Sequence, residues 1–163
     1  MLFRSHTRLK VANRQSLYVS HIRYGQLYEY KGKIGQHDSS IADSEFKGSA
    51  LLITGIAHAE PLEDELRRHF RVEALHFPDH HDYSERDYQC IRTKYELMQK
   101  DSPCVLVTTE KDVAKLDEKQ LPEKSTLLVM PIETVLMNHQ AEQFNQQIIN
   151  YVRQNQRNSS IPS

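Results

Sequence analysis

Three short stretches of this chain concentrate side chains that titrate, bind anions or ligate metals. The first is Thr54-Gly55-Ile56-Ala57-His58-Ala59-Glu60-Pro61. The second is Phe77-Pro78-Asp79-His80-His81-Asp82-Tyr83, and the third is Thr109-Glu110-Lys111-Asp112. In the second, a His beside a carboxylate can have its tautomer fixed and its charged form favoured. Such a His can orient a catalytic base, shuttle a proton or contact a phosphate. The same Asp79-His80-His81-Asp82 run could instead serve as a loop and capping segment, or ligate a metal with help from His76, His58 or Glu60. The residue types leave these three readings open. In the third stretch, Thr109 reads as a helix N-cap with an acid, Asp112, three residues on. Capping accounts for Thr109, Glu110 and Asp112 but not for Lys111. Lys111 could bind an anion at the helix start or simply be solvated. Gly55 directly follows an apolar run, where a sharp turn calls for backbone angles that glycine tolerates; a ligand contact through the following N–H groups is a second reading.

The elements that must carry these stretches can be read from periodicity. Ala50-Leu51-Leu52-Ile53-Thr54 is a continuous apolar run, as in a strand covered on both faces. Leu62, Leu66 and Phe70 fall on one helical face. Val72 to Phe77 is a second strand. Ser84 is placed to cap a helix striped by Tyr88, Ile91, Tyr95 and Met98. Cys104 to Val107 is a third strand, Glu110 to Leu116 a short helix, and Thr126 to Met130 a fourth strand. Ala141, Phe144, Ile148 and Val152 stripe a last helix. Strands separated by helical segments imply βαβ units and a parallel sheet. In such sheets ligands bind where strands end and helices begin, so all three stretches are expected on one edge. Upstream, Leu17 to Arg23 alternates, Tyr24-Gly25-Gln26 supplies a turn, and Leu27 to Tyr30 can return, which reads as a Tyr-rich hairpin. The predicted fold class is α/β: a three-layer Rossmann-like domain with a mostly parallel sheet of four or five strands, preceded by a β-hairpin linker. The predicted organisation is a basic arm with the hairpin linker over 1–47, the α/β domain over 48–154 and a disordered tail over 155–163.

Composition narrows the function classes. The chain has 163 residues, one ordinary domain length, enough to bury a core without disulfides or metals. Its 21 Lys and Arg nearly balance 22 Asp and Glu, which argues against a nucleic-acid binder. The balance hides an asymmetry: residues 1–33 carry seven basic side chains and one acid, Glu29. Such an arm attracts phosphates or an anionic membrane surface, or is a solvated terminus. Two cysteines, Cys90 and Cys104, form no disulfide framework and fit a reducing compartment. No signal peptide or spanning segment is apparent, so a cytoplasmic location is expected. There are five Gly and neither GxGxxG nor GxxxxGK[ST], which excludes a self-contained P-loop or dinucleotide enzyme of the usual kind.

The order of the motifs is informative. Gly55-Ile56-Ala57 is followed by Pro61-Leu62, then by Phe77-Pro78-Asp79-His80-His81-x-Tyr83, then by Thr109-Glu110-Lys111-Asp112-Val113-Ala114-Lys115. Over residues 17–153 this resembles the C-terminal half of tetraacyldisaccharide 4'-kinase, the lipid A 4'-kinase of Gram-negative bacteria. The resemblance implies transfer of the ATP γ-phosphate, with Mg²⁺, to the 4'-hydroxyl of a lipid A disaccharide precursor. It implies a peripheral position on the cytoplasmic face of the inner membrane. It also implies an N-terminal P-loop domain joined through a short β linker, here the hairpin, with the active site between the two domains. A catalytic aspartate of that N-terminal domain is assisted by a His of the Asp-His-His motif, a role that falls to His80 or His81, with Asp79 as an orienting neighbour. Gly55, Thr109, Glu110, Lys111 and Asp112 become candidate substrate or phosphate contacts. The family usually continues Gly-Ile-Ala with Asn-Pro, whereas this chain has His58-Ala59. On this reading the chain is a C-terminal domain or truncated reading frame, inactive alone and holding no cofactor tightly. Two other readings compete: a metal-dependent phosphoesterase using Asp79-His80-His81, and a non-catalytic α/β binding module.

Overall fold

In a computed structural model of the chain, the described residues are 12, 15–32, 34, 48–137 and 140–157. The basic arm before residue 12, most of the 31–47 loop and the end of the polar tail therefore lie outside them. The described residues form two compact units. One is Tyr24–Glu133; the other is built from the segments before and after it.

The Tyr24–Glu133 unit is a five-stranded sheet with helices on both faces. Its strands are β2 (Tyr28–Glu29), β3 (Ser49–Thr54), β4 (Arg71–His76), β5 (Cys104–Thr109) and β6 (Leu127–Met130). They lie in the order β2-β6-β5-β3-β4. Four are mutually parallel and β2 runs antiparallel on the edge beside β6. This is the α/β class that the alternation of strand and helix patterns predicts. The connections are α1 (Glu60–Leu66) between β3 and β4, α2 (Glu85–Asp101) between β4 and β5, and α3 (Glu110–Val113) after β5.

Side-chain alternation along the strands sorts the core into two layers. Leu51, Ile53, Leu106 and Val129 face Tyr88, Ile91, Tyr95 and Met98 of α2. Ala50, Leu52, Val107 and Leu128 face Leu62 and Leu66 of α1 and Leu27. Every residue of β3, β5 and β6 is buried, which is why these strands read as unbroken apolar runs rather than alternating ones. The buried side-chain hydroxyls of the strands have partners. Thr108 donates its hydroxyl to the Ile53 carbonyl at 2.8 Å, and the Ser49 and Ser102 hydroxyls share a bond of 2.6 Å. Helix α1 stops at Leu66, one turn short of Phe70, which packs on the core from the loop instead.

The hairpin expected over residues 17–31 is not a hairpin. Strand β1 (Ser20–Tyr24) pairs with β7 (Ile132–Leu136), and β2 joins the main sheet. The reason lies in burial. Leu27 and Tyr28 are buried and gain more from an edge position on a covered sheet than from a two-stranded ribbon, which is marginal in water. In the second unit, Met137 N–H donates to the Val19 carbonyl at 2.7 Å. Tyr18 meets Phe144 edge-on at 5.1 Å and donates its hydroxyl to Gln147 at 2.6 Å. Helix α4 (Ala141–Arg157) belongs to this unit and continues three residues past the expected end of order at 154.

Candidate active site at the C-terminal edge of the sheet

Strands β5, β3 and β4 are adjacent and parallel, with Thr54 opposite His76. Their ends therefore bring the three chemistry-bearing stretches together on one edge, as the strand-to-helix rule requires.

The β5 end is a buried knot. Asp112 is 4% exposed. Its Oδ2 accepts from the Thr54 hydroxyl at 2.9 Å, the Gly55 N–H at 3.1 Å and the Thr109 hydroxyl at 2.9 Å. Thr109 caps α3 by accepting from the Asp112 N–H, the capping arrangement read from the sequence. Asp112 also reaches across to the end of β3, a contact that capping does not require. Gly55 sits under this knot. A Cβ there would lie 2.9 Å from the Pro78 carbonyl oxygen and 3.3 Å from Asp112 Oδ1, so glycine is required by close approach rather than by a positive φ. Glu110 accepts from the Tyr28 hydroxyl at 3.4 Å.

The β4 end is an open, aromatic-lined turn. The Phe77 N–H donates to the Thr54 carbonyl at 2.8 Å, which anchors the turn to β3. Asp79 then meets the Lys111 ammonium. That bond, aided by the His80 N–H, holds the Asp79 carboxyl below the usual carboxylate range. Lys111, the residue that capping left unexplained, thus ties the third stretch to the second. Lys115 lies 3.5 Å from the His81 carbonyl and makes a second link.

The two histidines differ in every respect. His80 has φ 58°, a left-handed conformation that costs a non-glycine residue about 1–2 kcal/mol. Its side chain is 80% exposed and its ring nitrogen is 3.6 Å from Asp79. His81 has extensive ring contacts and its side chain is 25% exposed. It stacks on Phe77 at 5.0 Å and meets Tyr83 edge-on at 5.3 Å. Its Nε2 lies 3.0 Å from Oδ2 of Asp87, in the first turn of α2. Asp87 is also the third helical residue after Ser84, whose expected N-cap is a full capping box: Asp87 accepts from the Ser84 N–H and hydroxyl, both at 2.7 Å. These bonds, Ser84's first and His81's next, hold the Asp87 carboxyl down to about 2. Asp87 is the site residue that the sequence reading passed over, although Ser84-x-x-Asp87 is a capping-box pattern visible in the residues. The Tyr83 hydroxyl is buried and without a hydrogen-bond partner among the described residues. Burial, then the nearby Asp112 charge, pushes its ionisation up.

The remaining metal candidates do not converge. His76 Nε2 pairs with Glu63 of α1 at 3.0 Å, and His58 and Glu60 are exposed. Among the described residues, no group of three or more His, Cys, Asp or Glu is arranged to hold a metal ion. No helix among them is long and apolar enough to cross a membrane.

Comparison with known proteins gives this edge a family. Residues 5–153 match the family model for tetraacyldisaccharide-1-P 4'-kinase. A tetraacyldisaccharide 4'-kinase of Bacteroides fragilis is 36% identical over 160 residues, covering 95% of this chain and 42% of the relative. That of Bacteroides thetaiotaomicron is 36% identical over 163 residues, covering 94% of this chain and 43% of the relative. That of Flavobacterium johnsoniae is 33% identical over 149 residues, covering 91% and 39%. The chain thus spans about two fifths of the length of the curated relatives it matches. No solved structure matches it. A family match over nearly the whole chain, on the same motifs that meet at the sheet edge, places this chain in the tetraacyldisaccharide 4'-kinase family.

Proposed function

We propose that this chain is the C-terminal portion of a lipid A 4'-kinase. In this reading it supplies the Phe77–Tyr83 turn to a reaction that moves the ATP γ-phosphate onto the 4'-hydroxyl of tetraacyldisaccharide 1-phosphate. The observation that carries the proposal is His81, held between two aromatic rings and a carboxylate at the strand edge where α/β sheets bind ligands. Phosphoryl transfer needs a correctly placed group to manage the proton of the attacking hydroxyl. A neutral imidazole that gives its Nε2–H to Asp87 keeps Nδ1 as an acceptor. It can accept that proton or assist a neighbouring base. Of the two histidines left open by the sequence, His81 is the one with an oriented ring, and Asp79 serves Lys111 rather than His81.

The nucleotide and metal fit this chain poorly on their own. With no metal-holding cluster among the described residues and no GxxxxGK[ST] in the sequence, the Mg²⁺ ligands and the phosphate-binding loop are assigned to the remainder of the kinase. The lipid substrate places the assembled enzyme at the inner-membrane surface in this proposal. The phosphoesterase reading needs further ligands beside Asp79-His80-His81, and no metal-holding group is arranged among the described residues, so it is not favoured.

A hybrid kinase tests the proposal. This chain replaces the matching C-terminal region of the Bacteroides fragilis relative, and 4'-phosphorylation of tetraacyldisaccharide 1-phosphate is measured. Activity is expected in the hybrid and not in the 163-residue chain alone. Robust ATP hydrolysis by the isolated chain, or a folded hybrid that binds ATP without transferring phosphate, overturns it.

A further inference from the structure

We propose that Asp87 is the positioning residue for His81, so that the capping box of α2 doubles as the device that orients the reactive imidazole. The proposal rests on the kinase reading above for its catalytic meaning and on geometry alone for its structural content.

One oxygen, Asp87 Oδ2, receives three donors: the Ser84 N–H, the Ser84 hydroxyl and His81 Nε2. The first two bonds are local. They lock the Asp87 rotamer against the start of a 17-residue helix whose inner face is buried in the core. That helix is a rigid reference, since Tyr88 and Ile91 of the same turns are at most 2% exposed. The third bond transmits this rigidity to a loop side chain six residues upstream. A carboxylate can only accept, so the His81 nitrogen facing it must carry a proton, and in the neutral imidazole Nδ1 is then the acceptor. The rings of Phe77 and Tyr83, themselves 5.0 Å apart, restrict the remaining rotation of the imidazole. The backbone is pinned as well, by the His81 N–H donating to the Pro78 carbonyl at 3.2 Å. A carboxylate likewise sets the tautomer of a catalytic His in unrelated enzymes; here Asp87 is partly exposed.

His80 is the internal control. It follows the same Asp79 and belongs to the same turn, yet neither a rigid helix nor an aromatic ring is described against it. Adjacency to an acid therefore does not orient a His; attachment of that acid to a rigid element does.

The test separates orientation from capping and from catalysis. In the chain itself, ¹⁵N NMR of the His81 ring reads its tautomer. Wild type is expected as the Nε2–H form. Asp87→Ala and Asp87→Asn are expected to yield a mixture of tautomers or the opposite one. Ser84→Ala, which removes both bonds of the hydroxyl but keeps the backbone N–H bond to the Asp87 carboxylate, is expected to lower the melting temperature while leaving the His81 signals in place. In the hybrid kinase, Asp87→Ala is expected to lower kcat roughly 10–100-fold, the usual cost of losing an outer partner, with KM for the disaccharide little changed. His81→Ala with Asp87→Ala should be no worse than His81→Ala alone. An unchanged His81 tautomer in a folded Asp87→Ala chain overturns the positioning role. A changed tautomer with full kcat overturns the catalytic reading of His81, and with it the functional meaning of the Asp87 contact.

Discussion

The turn after β4 and the turn after β5 flank the end of β3 on the same sheet edge, and both carry an Asp among other titratable residues. They are built oppositely. After β5, Asp112 is buried and receives three donors from two strand ends. After β4, Asp79 is exposed and pairs with a lysine, while His81 is held half-open between rings. The β5 turn is a foundation: the Asp112 carboxylate is taken up by Thr54, Gly55 and Thr109. The β4 turn is a platform: its groups are oriented by neighbours yet reach solvent. The comparison shows that a motif dense in charged residues is not by itself a reactive surface. What decides is whether the hydrogen bonds close inward or leave a valence outward.

The sharpest way to break this contrast is through activity. In the hybrid kinase, His81→Ala should slow turnover by roughly 10²–10⁴, the range for an acid–base residue, whereas His80→Ala should leave it near wild type. Equal losses at both positions would remove the distinction between them, and steady-state kinetics decides it.

Stability comes next. Asp112→Ala strands the Thr54 and Thr109 hydroxyls and the Gly55 N–H in a buried site, and should cost about 3 kcal/mol or more by urea unfolding. Gly55→Ala forces a methyl against the Pro78 carbonyl, which belongs to backbone and cannot swing away. A loss of about 1–3 kcal/mol is expected. A neutral result at either position would mean that the β5 turn is no foundation.

A weaker effect concerns pH. The Asp87 carboxyl is held down to about 2 in the folded chain, below its ordinary value of 3.8. Its contribution to stability is therefore complete above about 4 and is lost as pH falls from there toward 2. Asp87→Asn should flatten the acid limb of the stability curve over that window; an unchanged limb would show that the capping box does not hold the charge. The smallest effect is expected for Lys111→Gln. An exposed ion pair is screened by salt, so the unfolding midpoint should shift slightly at low ionic strength and not at high.

Much of this was legible in the residues. The apolar runs of β3, β5 and β6 declare a covered parallel sheet, and the parallel sheet in turn places three loops on one edge. The Thr109 and Ser84 caps are local patterns and appear where the sequence puts them. The pairing of β1 was not legible. A five-residue alternating segment states that it is a strand but not which strand it meets, and its partner β7 lies more than 100 residues away. Nor did the sequence separate His80 from His81. Both follow an acid within two positions, and the carboxylate that matters sits on the next helix.

The sequence by itself therefore determined the α/β class, the order of the elements, the edge that carries the chemistry and the family resemblance. These depend on periodicity, on caps within four residues and on the order of the motifs along the chain. Only the tertiary structure decided that Asp112 faces inward, that Lys111 serves Asp79, and that Asp87 holds His81. Each of those is a contact between side chains on different elements, set by where the sheet register and helix packing bring them, which no local pattern encodes.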